Sequence, residues 1–192
     1  MQNMVRSVID RVFRERDREF FLGCCCRPPA LPPALSELLK RPQAPVMEYY
    51  TALRCWPCRK WVIQTSTVEK GDFHAKFETH LVISKLAPLF HIHHEFSVRN
   101  ADEERVTPAL GGFSEQAYSL SQFRLEEEAC RILTSAGYSR LSFAELAEVV
   151  GDLSSPPGVT MFGPQVTVEY ALFNDLFGWC GERNAANPPL ST

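Results

Sequence analysis

The sequence predicts an α+β fold in which an antiparallel four-stranded meander packs against two or three helices. Strand-like runs with alternating polarity follow one another at short spacing between residues 45 and 98, and short connections favour antiparallel pairing. Apolar residues then recur at helical spacing between residues 125 and 150. With 45% hydrophobic and 22% charged residues, the 192-residue chain has the proportions of a globular protein with one sizeable core.

Four runs make up the predicted meander. Residues 46–53 are rich in Tyr and Thr, residues 61–68 are rich in β-branched side chains, and residues 69–72 (Glu-Lys-Gly-Asp) form a turn into the third run. In residues 73–83 the apolar side chains share one face and the His and charged side chains share the other, which is the period of a half-buried strand. Residues 90–98 repeat the alternation, so we expect one face of the sheet to pack against helices.

Two helices are predicted after the meander. The first ends where Gly137 stands as a C-terminal cap, and its apolar stripe consists of Leu125, Ala129, Ile132, Leu133 and Ala136. The second spans residues 142–150 and begins with a Ser-x-x-Glu capping box. Residues 167–177 form a last apolar element, for which the pattern leaves open a helix or a strand that begins at Val166.

The composition of residues 1–44 differs from that of the rest of the chain. We predict a weakly ordered N-terminal helix and a Pro-rich linker there, and because Met47 begins the first strand-like run, one interpretation is that this segment is not native. An alternative is a membrane-surface helix with acylated cysteines at residues 24–26. Residues 45–182 form the single predicted α+β domain, and residues 183–192 form a predicted flexible tail.

The sequence also favours a cytoplasmic location. The longest apolar stretches, such as residues 86–90, are far shorter than the roughly 20 residues of a membrane-spanning helix. Charged residues interrupt the first 15 positions, so an apolar secretory signal is not expected. We therefore expect the seven cysteines to be thiols, since an odd number in a reducing compartment does not indicate a disulfide framework.

The charge distribution favours a protein partner. Residues 1–44 carry 8 basic and 5 acidic residues, whereas residues 45–192 carry 12 basic and 18 acidic residues. An acidic domain repels nucleic-acid phosphates and attracts basic proteins, so we predict a protein partner and no nucleic acid. The predicted contact residues are Asp102, Glu103, Glu104, Glu126, Glu127, Glu145 and Glu148. The alternative is that these residues belong to solvated loops and helix faces.

A Cys-x-x-Cys pair, Cys55 and Cys58, has the spacing of a dithiol redox motif and resembles the Cys-x-Pro-Cys of thioredoxin-like proteins. In that fold a long helix follows the motif, whereas here a strand-like run follows. A zinc site would need four ligands, and no second pair with metal-binding spacing is present, only Cys130, Cys180 and the triplet at residues 24–26. We therefore favour a simple connection between two strands over redox or zinc chemistry.

Histidines form the other pattern with chemical potential. His91, His93 and Glu95 occupy alternate positions of one strand, and a turn at residues 85–88 would place His93 across from His80. Such a group is typical of an open catalytic Zn or Fe site, and it resembles the His-x-His strand of several metalloenzymes. The alternative is an exposed polar sheet face, with His94 on the apolar side as a core residue whose ring is satisfied. No phosphate-binding Gly loop, Gly-x-Ser-x-Gly elbow or dinucleotide fingerprint is present.

Two segments carry a resemblance to a family. Residues 81–96, beginning Leu-Val-Ile-Ser-Lys-Leu-Ala-Pro-Leu-Phe, and residues 161–176, beginning Met-Phe-Gly-Pro-Gln-Val-Thr-Val-Glu-Tyr, look like uncharacterised bacterial proteins. Those proteins are similar in size and in their two-helix insertion to small immunity proteins encoded beside polymorphic toxins. The resemblance covers residues 46–180 and transfers no functional residue. It implies a non-enzymatic protein-binding domain that neutralises a cognate, basic toxin domain without a cofactor, and the alternative is the metal-dependent enzyme.

Overall fold

The computed structural model describes residues 2–27, 30–41, 45–49, 53, 55–100, 110–154 and 165–186. The helices are α1 (Gln2–Ile9), α2 (Arg18–Cys25), α3 (Pro33–Leu39), α4 (Leu120–Ser135), α5 (Phe143–Leu146), α6 (Val168–Phe173) and α7 (Trp179–Ala186), and one π-helical turn (Asp10–Arg14) follows α1. The strands are β1 (Val46–Tyr49), β2 (Cys58–Lys70), β3 (Phe73–Ser84), β4 (Leu89–Asn100), β5 (Leu110–Ser114), β6 (Ser139–Arg140), β7 (Val149–Ser154) and β8 (Gln165–Thr167).

An antiparallel meander forms the main sheet, in the order β1-β2-β3-β4-β5, and the short β6 pairs parallel with β4. The predicted α+β class and the four predicted strands, which correspond to β1 to β4, are confirmed. The β2–β3 turn is also confirmed, because Lys70 pairs with Phe73 and Gly71 adopts a φ of 58°. Glycine is favoured there because a left-handed backbone is strained for residues with a Cβ. The sequence did not indicate β5, β6 or β7. The last apolar element, for which a helix or a strand beginning at Val166 was left open, contains both: Val166 lies in β8 and α6 follows directly.

Helices cover both faces of the sheet rather than the one face that we expected. On one face, Trp61, Leu81 and Phe90 pack with α3 and α4. On the other face, Val82 and Leu89 pack with residues of α1, α2, α6 and α7. Near the β3–β4 turn the strands therefore bury the side chains on both faces of the sheet, and every residue of β3 from 79 to 84 is buried.

The change in composition at residue 44 does not coincide with a boundary in side-chain packing. The N-terminal segment contributes buried residues to both clusters: Val5, Ile9, Val12, Phe13, Phe21, Cys25, Leu35 and Leu38. The weakly ordered state and the non-native origin that we predicted for residues 1–44 stay predictions. At the other end, α7 continues past the predicted boundary at residue 182, and residues 187–192 lie outside the described residues.

The helix predictions are partly confirmed. Gly137 follows α4 with a φ of 86°, as a C-terminal cap requires, and the capping box between Ser142 and Glu145 is present. The second helix is much shorter than predicted, because Val149 already belongs to β7 and pairs with Thr167. Two adjacent β-branched residues favour this strand. Among the residues that the structure describes, no helix has both the length and the apolar composition that a membrane span requires.

Candidate functional site

The predicted histidine site lies in the middle of the sheet. His80 of β3 pairs with His93 of β4, as predicted from a turn at residues 85–88, and the two rings lie 4.4 Å apart between centroids. The ring of His91 stacks 5.5 Å from that of His93 and meets Phe173 of α6 edge-on at 4.8 Å. These three histidines are 9%, 3% and 6% exposed, so the interpretation as an exposed polar face is wrong. Helices of the second layer cover them.

The buried histidine rings lack hydrogen-bond partners at several nitrogens. Both nitrogens of His80 and the Nδ1 atoms of His91 and His93 have none. Nε2 of His80 lies 3.3 Å from Oε2 of Glu95 but without the alignment that a hydrogen bond needs. Burial, with a smaller contribution from Lys60, lowers the pKa of His80 to about 4 and that of His91 to about 3. Burial and the neighbouring His80 lower the pKa of His93 to about 2. All three rings are therefore neutral at pH 7.

A small cavity of about 240 Å³ adjoins the rings of His91 and His93. It is lined by His91, His93, Phe113, Phe143, Leu146, Ala147 and Glu169. Burial raises the pKa of the Glu169 carboxyl. The cavity thus combines neutral imidazoles and a carboxyl group with aromatic walls, which suits a small, mostly apolar ligand more than a hydrated ion.

The predicted metal ligands do not converge in the described part of the chain. His80, His91, His93 and Glu95 do not place one ligand atom each within 4.8 Å of the others there, whereas Cys25, Cys55 and Cys180 do. The Glu95 side chain is 41% exposed and lies at the edge of the group. Reorientation of the rings would be needed before three nitrogens met at one ion.

His94 is the satisfied core histidine that the sequence predicted. It is fully buried on the opposite face, where its Nδ1 lies 3.0 Å from the hydroxyl of Thr79 and its Nε2 lies 2.9 Å from Oε2 of Glu126. Arg140 approaches the other oxygen of Glu126 at 2.6 Å. Burial of Glu126 raises the pKa of its carboxyl, but the bonds from His94 and Arg140 outweigh that effect and lower it. The network joins α4 to the sheet.

Cys58 begins β2 and Cys55 precedes that strand, in agreement with the predicted connection between two strands. Burial raises the pKa of the Cys58 thiol to about 12, and burial also raises the pKa of Cys55. A redox dithiol needs the opposite shift, so these surroundings do not favour an attacking thiolate. Cys55 instead lies 2.7 Å from the sulfur of Cys26 and 3.3 Å from that of Cys180. Sequence spacing could not show this cluster, because its members come from three distant segments.

The predicted acidic contact residues have different environments. Asp102, Glu103 and Glu104 lie outside the described residues. Glu126 is bound to His94 and Arg140, and the carboxylate of Glu145 accepts hydrogen bonds from the backbone and hydroxyl of Ser142. Glu127 and Glu148 are exposed. Glu126 and Glu145 are therefore poor candidates for direct contact with a partner, because their carboxylates already bind groups within the protein. Their charge still contributes to the electrostatic field at the surface.

An open cleft lies at the start of α4, and we call it the α4 cleft. It has a volume of about 890 Å³ and is lined by Glu115, Gln116, Ala117, Tyr118, Ser119, Leu120, Phe123, Glu126, Arg140, Ser142 and Glu145. Leu120 is 62% exposed and Phe123 is 47% exposed. No sequence pattern predicted this cleft. The one available signal was that Leu120 and Phe123, two large apolar residues, lie outside the predicted apolar stripe of the first helix.

Comparisons of the chain with protein-family models, with curated proteins and with solved structures found no match. The resemblance to immunity proteins thus stays a prediction. The assignment of function depends on the geometry of the three places described above: the buried histidines, the cysteine cluster and the α4 cleft.

Proposed function

We propose that this protein is a protein-binding domain and that the α4 cleft is its binding face. The observation that carries the proposal is the exposure of Tyr118, Leu120 and Phe123 around one open cleft. Exposed apolar residues are ordinary when they are scattered, but a group of large ones around a concavity with a polar rim marks an interaction site. Burial of a single such side chain in a partner is worth about 1.5–3 kcal/mol.

The mixture of apolar and polar residues in the cleft is typical of a protein–protein interface. Leucine and aromatic side chains supply apolar contact area, and Ser119, Gln116 and Ser142 supply hydrogen-bonding groups at the rim. Aromatic anchors surrounded by polar residues are typical of the few positions that dominate binding energy. A cleft of this openness and polarity is less suited to enclosing a small substrate, which normally requires most of the ligand surface to be buried.

Charge favours a basic partner. The lining contains three carboxylates (Glu115, Glu126 and Glu145) against one guanidinium (Arg140), which is a formal charge of −2. Electrostatic complementarity of this kind accelerates encounter and selects partners of opposite charge. Together with the resemblance to immunity proteins, it supports the finer proposal that the partner is a basic toxin domain, which the protein neutralises in the cytoplasm.

Site-specific photo-crosslinking in the native host tests the binding face. A photoreactive residue at position 120 or 123 should crosslink the same basic protein, because both side chains point from the cleft into solvent. The matched control is position 47, since Met47 is 60% exposed but lies on β1, at the opposite edge of the sheet from β5. Leu120→Lys should weaken binding of the captured protein by about 10- to 100-fold, measured by calorimetry, while Met47→Lys should not.

Crosslinks that are equally frequent from position 47, or absent from positions 120 and 123, would contradict the binding face. The proposal that the partner is a toxin is tested by expressing the captured protein in a host that lacks the gene for the present protein. Growth should be arrested by the captured protein alone, restored by the wild-type chain and by Met47→Lys, and not restored by Leu120→Lys. A captured protein that never affects growth removes the toxin assignment and leaves the binding proposal intact.

We also propose an alternative function, a metal-dependent enzyme at the buried histidines, because unpartnered imidazole nitrogens are unusual in a core. Neutral imidazole is the form that binds metal ions. In protein purified without a His tag, a transition metal should be present and should be lost in His93→Ala. The control is His74→Ala, since His74 lies near the β2–β3 turn and is partly exposed. A metal content that is the same in both variants would exclude this alternative.

A further inference from the structure

We propose that Cys25, Cys55 and Cys180, together with Cys26, bind one zinc ion that ties three segments of the chain together. Each of the first three residues places its sulfur within 4.8 Å of the other two, and all three are fully buried. Cys26 places its sulfur 2.7 Å from that of Cys55 and is partly exposed. This inference is independent of the protein-binding proposal.

The convergence of three buried sulfurs from distant segments supports a shared ion. Two carbon atoms in favourable contact lie about 3.5–4.0 Å apart, and sulfur is the larger atom. The 2.7 Å between the sulfurs of Cys26 and Cys55 and the 3.3 Å between those of Cys55 and Cys180 are shorter than such a contact. Four thiolates around zinc, each at about 2.3 Å, would lie about 3.8 Å from one another. The sulfurs of Cys25, Cys55 and Cys180, all within 4.8 Å of one another, lie near that spacing, and the sulfurs of Cys26 and Cys55 would move apart on binding.

Four cysteine sulfurs as ligands favour zinc over other common metal ions. Four thiolates in a closed, tetrahedral arrangement are typical of structural zinc sites, and soft sulfur ligands disfavour magnesium and calcium. Three buried ligands leave no open position for a substrate once Cys26 completes the set. We therefore assign a structural role to the ion rather than a catalytic one.

Without an ion, burial raises the pKa of the Cys55 thiol, and the neighbouring Cys25 together with burial raises that of Cys180, so the positive charge of the zinc would convert these thiols into thiolates. Two features of the surroundings would help to hold the site. Cys180 lies in the first turn of α7, and the positive end of a helix dipole favours a negative charge there. The carboxylate of Asp175 accepts hydrogen bonds from the backbone nitrogens of Trp179 at 3.1 Å and Cys180 at 2.6 Å, which holds that turn in place. The Lys85 ammonium donates a hydrogen bond to the carbonyl oxygen of Cys25 at 2.7 Å, which positions a cation beside the cluster. Zinc with four thiolates carries a formal charge of −2, which a nearby ammonium offsets.

Zinc would contribute to folding because its ligands are far apart in sequence. Cys26 and Cys55 are separated by 29 positions, and Cys55 and Cys180 by 125 positions. One ion would join the end of α2, the connection into β2 and the start of α7. Binding converts four thiols into thiolates and releases their protons to solvent, so occupancy should fall as the pH is lowered.

Metal analysis of reduced protein, purified without a His tag or chelator, tests the site. We expect about one zinc per chain. Cys180→Ser should lower the content to less than about one tenth equivalent, whereas Cys130→Ser should retain the zinc, since Cys130 lies on α4 away from the cluster. His93→Ala should also retain it, which separates this site from the histidine alternative. Cobalt-substituted wild-type protein should show the near-ultraviolet charge-transfer absorption of thiolate ligands.

Several outcomes would overturn the proposal. Wild-type protein with less than about one tenth equivalent of zinc would do so, as would zinc that survives Cys180→Ser or leaves with His93→Ala. If Cys180→Ser does not fold, the cobalt spectrum of the wild-type protein shows whether cysteines bind the metal. The absence of thiolate absorption would exclude cysteine ligands. In protein prepared without reductant, made metal-free and denatured, a loss of two titratable thiols would show that the chain forms a disulfide instead.

Discussion

Acidification from pH 7 to pH 4 should destabilise the folded protein by several kcal/mol. His80, His91 and His93 are buried and neutral, and their pKa values lie near 4, 3 and 2, whereas an unfolded histidine titrates near 6.5. Below pH 6.5 the unfolded chain binds protons that the folded chain excludes, so the free energy of unfolding decreases as the pH is lowered. Each histidine contributes up to about 1.4 kcal/mol per pH unit, and the three together up to about 4 kcal/mol per unit.

Urea unfolding at pH 7, 6 and 5, followed by tryptophan fluorescence, measures this dependence. His91→Asn and His93→Asn should each reduce the slope of unfolding free energy against pH, since asparagine does not titrate. His74→Asn is the matched control, because His74 is partly exposed and lies near the β2–β3 turn, and it should reduce the slope less than either buried substitution. Release of the proposed zinc would also contribute to acid sensitivity, but that contribution would be common to all these variants. Equal slopes in His91→Asn, His93→Asn and wild type would show that these rings titrate normally.

The second large effect is expected at Gln122, which is fully buried near the start of α4. Its Nε2 donates to the carbonyl oxygens of Glu78 at 2.8 Å and Glu95 at 3.1 Å, which belong to adjacent strands. Its Oε1 accepts from the backbone nitrogens of Tyr118 and Ser119, both at 3.0 Å. One side chain thus caps the helix and fastens it to β3 and β4.

Gln122→Ala should lower the free energy of unfolding by about 3–4 kcal/mol, because it leaves buried backbone groups unpaired at about 1–3 kcal/mol each and creates a cavity. The control is Arg124→Ala on the exposed face of the same helix, for which we expect a change within about 0.5 kcal/mol. Gln122→Glu should also destabilise, since a carboxylate cannot donate to the two carbonyl groups. Urea denaturation compares the three variants, and a loss below about 1 kcal/mol in Gln122→Ala would mean that water replaces the amide.

The success of the strand prediction has a local cause. Side chains alternate with a period of two in residues 73–83, and a short turn places His80 opposite His93, so register follows from nearby residues alone. The same alternation suggested that the face carrying His80, His91 and His93 is exposed, whereas these residues are buried. Alternation shows which residues share a face, but whether a second helical layer covers that face depends on α1, α2 and α6, which lie far away in sequence.

The sequence by itself determined the α+β class, the order and pairing of β1 to β4, the caps at Gly137 and residues 142–145, and the role of His94 in the core. Only the tertiary structure decided the burial of His80, His91 and His93, the meeting of the cysteines and the exposure of the α4 cleft. Local patterns encode periodicity and turns, because those depend on neighbouring residues. Packing joins segments far apart in the chain, such as those of Arg18 and Glu182, which are 164 positions apart, and no spacing rule specifies which segments meet.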